Sequence, residues 1–282
     1  MKLIECPRDA MQGLHDFIPT DLKAAYINLL LQVGFDTIDF GSFVSPKAIP
    51  QLRDTSEVLA KLDLSTTKTK LLAIVANLRG VEEAIKHKSI NYLGFPFSIS
   101  ETFQQRNTNS SITESLNTVE EMLNLCDQSN KTAVVYLSMG FGNPYGDEWN
   151  VEIVEKWADE LVKRGVQILS LADTTGVSTP EKIKTILPPL IKKYNQTEIG
   201  IHLHSTPYTR LEKIEAAYNA GCVRFDSALK GFGGCPMATD DLTGNMATED
   251  LIEFLQSKGE DLGLDMSKWQ EAILFSSKIF NQ

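Results

Sequence analysis

Two histidines in the run Ile199-Gly200-Ile201-His202-Leu203-His204 are the strongest candidates for chemistry in the chain. Read as a β-strand, the run alternates its side chains between two faces. Ile199, Ile201 and Leu203 share one face, suited to packing under helices. Gly200, His202 and His204 share the other. Two imidazoles close together on one face form half of a metal site. The plain alternative is a pair of core histidines satisfied by hydrogen bonds. The chain holds only four histidines, so finding two here favours the ligand reading. A second cluster, Cys6-Pro7-Arg8-Asp9 followed by Gln12, closes an apolar run near the N-terminus. An adjacent Arg and Asp can be a surface ion pair. In a reactive site Asp9 would ligate a metal and Arg8 would meet developing oxyanion charge.

Other polar groups end apolar runs in the same way. Asp39-Phe40-Gly41-Ser42 and Ser170-Leu171-Ala172-Asp173-Thr174 both close on carboxylates and hydroxyls, which serve a site or cap the next helix. Lys230-Gly231-Phe232-Gly233-Gly234-Cys235 is glycine-rich enough to move as a lid, with a cysteine that is either reactive or a small buried apolar group. Asn245 and Glu249 stand just before a helical pattern, where an N-cap and a first-turn acid are the plain readings.

The elements that must bring these segments together are legible as an alternation. Strand patterns cover Leu3–Pro7, Thr37–Ser42, Lys70–Ala76, Tyr92–Phe97, Thr132–Ser138, Val166–Leu171, Ile199–His204 and Val223–Ala228. Amphipathic helical patterns separate them: Pro19–Val33, Ser56–Leu62, Gly80–His87, Ile112–Asp127, Val151–Arg164, Pro180–Tyr194 and Thr209–Ala220. Further helix is expected over Thr248–Gln256 and Lys268–Phe280. Strands separated by helix-length segments build a parallel sheet, and eight such units in 282 residues predict an α/β TIM (β/α)8 barrel with extra C-terminal helices. A doubly wound open sheet is the second choice, disfavoured because no GxGxxG follows the first strand. The expected organisation is one catalytic domain over 1–282, with the active site at the C-terminal ends of the strands.

Composition narrows the function classes. The net charge is −10, with no Lys/Arg run of the kind that tracks phosphates, so nucleic acid is not an expected partner. The four cysteines form no CxxC pair, which argues against a zinc knuckle. No apolar run approaches the roughly 20 residues of a membrane span, and the N-terminus reads directly into a strand without a secretory pattern. The expectation is a protein of the reducing cytoplasm.

Taken in order, the segments PRDAMQ (7–12), SFVSPK (42–47), SETFQQRNTNSSITES (100–115), SLADTTGVSTP (170–180), HLH (202–204), GFGGCP (231–236) and GNMATEDL (244–251) resemble the hydroxymethylglutaryl-CoA lyases of the DRE-TIM metallolyase group. The resemblance covers nearly the whole chain, and its last motif separates the lyases from the condensing synthases of the group. It implies a metal held by Asp9, His202, His204 and Asn245. Carboxylate, amide oxygen and imidazole without thiolate suit Mg2+ or Mn2+. It implies an acyl-CoA substrate, 3-hydroxy-3-methylglutaryl-CoA, cleaved to acetoacetate and acetyl-CoA. Arg8 would stabilise the enolate and Cys235 would protonate the departing carbon. Asp39 and Glu249 become candidates for general-base or relay roles, and Gln12, Ser42, Ser170 and Asp173 for orienting substrate and ligands. Lys47 and Arg106 are weaker candidates for the CoA phosphates. A homodimer is implied as well. The chain departs from the pattern in four places: Asp39 stands where such lyases usually carry Glu, Ser205 where Asp is common, Gln12-Gly13-Leu14-His15 lacks the usual Asn-Glu-Lys continuation, and the stretch from Cys235 to Asn245 is one residue longer than usual. They leave room for a related aldolase or acyl-CoA condensing enzyme.

Overall fold

The computed structural model describes residues 1–234 and 243–280. Eight parallel strands close into a barrel: β1 (Lys2–Glu5), β2 (Thr37–Ser42), β3 (Lys70–Ile74), β4 (Tyr92–Ser98), β5 (Thr132–Ser138), β6 (Ile168–Ala172), β7 (Glu198–His202) and β9 (Arg224–Ser227). Closure is made by β1 against β9, with Lys2 opposite Arg224 and Glu5 opposite Ser227. The expected barrel is therefore present. Around it run α1 (Pro7–Gln12), α2 (Thr20–Val33), α3 (Thr55–Leu59), α4 (Leu78–Ala84), α5 (Glu101–Thr108), α6 (Ile112–Gln128), α7 (Val151–Lys163), α8 (Pro180–Lys193), α9 (Arg210–Asn219), α10 (Thr248–Ser257) and α11 (Met266–Phe280). Helix α10 follows the eighth barrel strand. Helix α11 lies beyond it and packs on α2, where Tyr26 is bracketed by Phe275 and Phe280; Trp269 meets Phe35, just past the end of α2, edge-on at 5.6 Å. Among the described residues no helix is long and apolar enough to cross a membrane.

Alternation along the strands sorts the core into two shells. Outward residues such as Ile199, Ile201, Leu203, Leu169 and Phe225 pack under the helices in one large apolar cluster. Leu72, Ile74, Tyr92, Val134, Tyr136, Ile168 and Ala172 form a smaller cluster inside the barrel. The interior also carries charge. Arg224 is fully buried, and its aliphatic stem lies where a side chain at Gly200 would sit, 2.8 Å from an added Cβ.

Several boundaries differ from the sequence expectation by a residue or more, and two of the differences shape the site. Strand β1 stops at Glu5, and Pro7 opens α1 where an extended segment was expected. Proline suits the first helical position because its missing N–H is not needed there. Strand β7 stops at His202, and His204–Ser205 form a separate short strand, β8, paired antiparallel with β10 (Gly244–Asn245). This ribbon lays Asn245 opposite His204. Helix α5, which the hydrophobic pattern did not reveal, is capped by Ser100, whose hydroxyl accepts from the Phe103 N–H.

Candidate active site

Helix α1 turns Arg8, Asp9 and Gln12 onto one face, since residues three and four apart are neighbours on a helix. The Asp9 carboxylate accepts at Oδ1 from Arg8 Nη1 (2.9 Å) and from Gln12 Nε2 (2.7 Å). Arg8 Nη1 also donates to Gln12 Oε1 (2.9 Å), while Nε and Nη2 close a fork on the buried carboxylate of Asp39. Four of the five guanidinium N–H groups thus have partners, and one on Nη2 remains. The plain reading of Arg8 and Asp9 as a surface pair is excluded, because both are buried at the C-terminal mouth of the barrel.

The two histidines arrive from β7 and β8, with β9 standing between β7 and β1 in the barrel. Ligating atoms of Asp9, His202 and His204 all lie within 4.8 Å of one another. His202 Nδ1 donates to Asp226 Oδ2 at 3.2 Å, which leaves the lone pair of the neutral ring on Nε2. Asn245 joins through the β8–β10 ribbon. Its amide nitrogen donates to Asp9 Oδ2 (2.6 Å) and to the Phe232 carbonyl (2.8 Å), so its oxygen is the atom free to act as a ligand. Asn245 is not the cap of α10; that position is Ala247. The donors present, a carboxylate, two imidazoles and an amide oxygen, fit a divalent cation.

Charge and burial set the protonation states. Burial and the neighbouring His202 push His204 down to about 4, so it stays a neutral donor at physiological pH. Burial opposes charge on His202, but the Asp226 hydrogen bond and the Asp9 charge outweigh it and raise its pKa. Burial likewise opposes the Asp9 carboxylate, and Arg8 with the two histidines overcomes it. Burial holds Asp39 up to about 6 against the pull of Arg8.

A cavity of about 450 Å³ opens over this cluster. It is lined by Arg8, Asp9, Gln12, Ser42, His202 and His204 from the expected set, and its outer rim carries Arg106. Asn107, Thr108 and Asn109 of α5 and its C-terminal turn share that rim, and Tyr136 and Ser138 of β5 form part of the wall; none was singled out from the sequence. The inward alternation Val134–Tyr136–Ser138 was the available signal.

Asp39, Ser170, Asp173 and Glu249 do not line the cavity. Asp173 is buried and holds Ser178 by N–H and hydroxyl and Lys213 by its ammonium, 3.1 Å away; that ammonium also donates to the His204 carbonyl. Ser170 is fully buried, and its hydroxyl has no partner among the described residues. Asp39 reaches the cavity only through Arg8. The Glu249 carboxylate accepts from the Lys230 N–H, which anchors the glycine-rich segment, and burial raises its pKa. Lys47 is exposed. Cys235 lies outside the described residues.

Known proteins resemble the chain over almost its whole length. The HMGL-like family model matches residues 3–273. The hydroxymethylglutaryl-CoA lyase YngG of Bacillus subtilis is 36% identical over 272 residues, 94% of this chain and 90% of its own. The cytoplasmic 3-hydroxy-3-methylglutaryl-CoA lyase of Rattus norvegicus is 34% identical over 283 residues, covering 100% of this chain and 82% of its own. The B. subtilis HMG-CoA lyase crystal structure superposes with a TM-score of 0.91 at 33% identity, covering 99% of this chain and 93% of the other. An Acinetobacter baumannii HMG-CoA lyase in complex with coenzyme A and 3-methylmalate does so at 0.91 and 30%, covering 100% and 91%. On a family match that runs almost from end to end, and on the shared barrel, the chain belongs to the HMGL-like family.

Proposed function

We propose that the chain is a divalent-cation-dependent lyase that cleaves 3-hydroxy-3-methylglutaryl-CoA to acetoacetate and acetyl-CoA. The observation that carries this reading is the meeting of Asp9, His202 and His204 within 4.8 Å beneath the cavity, in a chain whose relatives bear that name. Asp9, His202, His204 and Asn245 would hold the ion, Mg2+ or Mn2+. When bound, such an ion acidifies a substrate hydroxyl and neutralises developing charge.

The chain's own residues supply the rest. Breaking the bond between C2 and C3 of the acyl chain puts negative charge on the thioester oxygen. The uncommitted Nη2–H of Arg8 is the donor available to meet it, held in place by Asp39, Asp9 and Gln12. Asp39 therefore acts as a positioning residue and relay behind Arg8. Ser42 and Gln12 face the cavity and would orient the acyl group. Ser170 and Asp173 would act from behind the histidines, and Glu249 would hold the glycine-rich segment from which Cys235 delivers a proton to the departing carbon. The rim at Arg106–Asn109 would take the coenzyme. A cytoplasmic homodimer completes the reading.

The shorter acid at Asp39 favours one alternative, a related aldol or condensing reaction on another 3-hydroxyacyl-CoA. The fork to Arg8 is intact all the same, which supports the lyase reading first. Incubating purified protein with 3-hydroxy-3-methylglutaryl-CoA and Mg2+ or Mn2+ should release acetoacetate. Folded protein that yields none with either ion contradicts the proposal.

A further inference from the structure

Below the mouth cluster, three adjacent strands deliver a second set of donors. In the barrel β1 pairs with β9 and β9 with β7, so Cys6, just past β1, Asp226 on β9 and His202 on β7 stand side by side on the inner wall. The Cys6 N–H donates to the Ser227 carbonyl at 2.9 Å, and His202 lies opposite Asp226 in the β7–β9 register. One ligating atom from each of Cys6, His202 and Asp226 falls within 4.8 Å of the others. None of these groups is saturated. The Cys6 thiol has only a 3.6 Å contact to the Ile4 carbonyl, and Asp226 Oδ1, in a residue 3% exposed, has no partner among the described residues.

We propose that Cys6 Sγ, His202 Nδ1 and the Asp226 carboxylate form a second, deeper cation site that takes a thiophilic divalent ion of the zinc class and competes with the mouth site for His202. Sulfur, imidazole and one carboxylate match zinc far better than magnesium, which prefers oxygen. A thiolate and a carboxylate balance the two charges of the ion, so the ion and its three ligands together are neutral. Burial, with Asp226, Asp39 and Asp9 nearby, holds the Cys6 thiol well above its ordinary pKa. A hard ion leaves that thiol protonated. A thiophilic ion displaces the proton to solvent as the metal–sulfur bond forms.

Competition follows from the imidazole. A neutral ring has one lone pair. With Nδ1–H on Asp226, the pair is on Nε2, the nitrogen left for the Asp9–His204 side. When the deep site claims Nδ1, the proton moves to Nε2 and the mouth cluster loses a ligand. Binding at the deep site stands alone, whereas its inhibitory consequence rests on the role proposed above for His202.

The test titrates metal-free full-length protein with Co2+ and reads the near-ultraviolet thiolate-to-cobalt charge-transfer band. Far-UV circular dichroism and thermal unfolding establish that each variant is folded, with Cys6→Ala as a second substitution if Cys6→Ser is not. The band should appear in the unmodified chain, vanish in the Cys6 variant and persist in His204→Ala. No band in the unmodified chain, a band unchanged without Cys6, or a band lost in His204→Ala would each overturn the site. In Mg2+-supported acetoacetate release, the Zn2+ concentration for half inhibition should rise at least about tenfold in the Cys6 variant. An unchanged value overturns the competition. Absence of acetoacetate before zinc is added defeats the lyase reading, and the cobalt band then still decides the site.

Discussion

Replacing Gly233 by alanine should damage the cation site more than it damages the fold. The backbone at Gly233 has φ +94°, and an added Cβ would lie 2.7 Å from the Asp9 carbonyl oxygen, 2.8 Å from Asn245 Nδ2 and 2.9 Å from the Ala10 Cα. Ordinary contact begins at 3.4 Å, so the loop or the Asn245 amide must shift by about 0.6–0.7 Å. Two of the three obstacles are backbone of α1, which leaves the amide as the part that gives way. Ligands held for function tolerate about 0.5 Å of error, so affinity for Mn2+ should fall about 10–100-fold, or about 1.4–2.8 kcal/mol. The left-handed backbone adds roughly 1–2 kcal/mol of destabilisation. Gly165 separates the two effects: its φ is +99°, but an added Cβ meets nothing within 4 Å. Gly165→Ala should lose similar stability in urea and keep its Mn2+ affinity by calorimetry. If Gly233→Ala binds Mn2+ within about twofold of the unmodified chain while stability falls, Gly233 does not brace the cluster and the reasoning is refuted.

Glu5 predicts an unusual pH dependence. It is fully buried, accepts from the Leu229 N–H at 2.8 Å and pairs with the Thr248 hydroxyl at 2.6 Å, and burial pushes its pKa up to about 8. The folded state holds this proton more tightly than the unfolded chain, whose value is near 4.5, so stability should be greatest near pH 5 and decline toward pH 8, by a few kcal/mol. Glu5→Gln keeps the hydrogen-bonding shape without the charge and should flatten the urea midpoints between these pH values; an unchanged slope would refute the assignment. Asp39→Asn removes the acceptor fork from a buried guanidinium and should cost about 3 kcal/mol in urea. It should also lower turnover on the acyl-CoA roughly 100-fold by loosening Arg8, with little change in Mn2+ affinity. Wild-type turnover in a folded Asp39→Asn protein would remove Asp39 from the account.

The sequence disclosed the barrel because its strands are apolar runs and its helices amphipathic, and local periodicity is enough to show both. It disclosed His202 and His204 because imidazoles are scarce. The break at Leu203 was hidden, since it depends on β10 arriving from forty residues away to pair with His204 and Ser205. Helix α1 was hidden for a different reason: PRDAMQ is short and polar, and only the proline at its start marks it. Asp226 and Cys6 could have been found by extending the inward alternation used for the histidines to the neighbouring strands. Lys213 could not, because a lysine in an amphipathic helix looks solvent-facing until Asp173 and the His204 carbonyl are seen to surround its ammonium. Asp173 and Glu249 were legible as acids near the mouth, but not as groups whose carboxylates are spent on Ser178, Lys213 and Lys230.

The central claim is that one cation is shared by side chains from α1, β7, β8 and β10. A Mn2+ binding isotherm on metal-free protein, followed by electron paramagnetic resonance, tests it most directly. One tight ion per chain is predicted, lost in His204→Ala and in Asp9→Asn while both variants remain folded. Equal binding by either variant and the unmodified chain would contradict it.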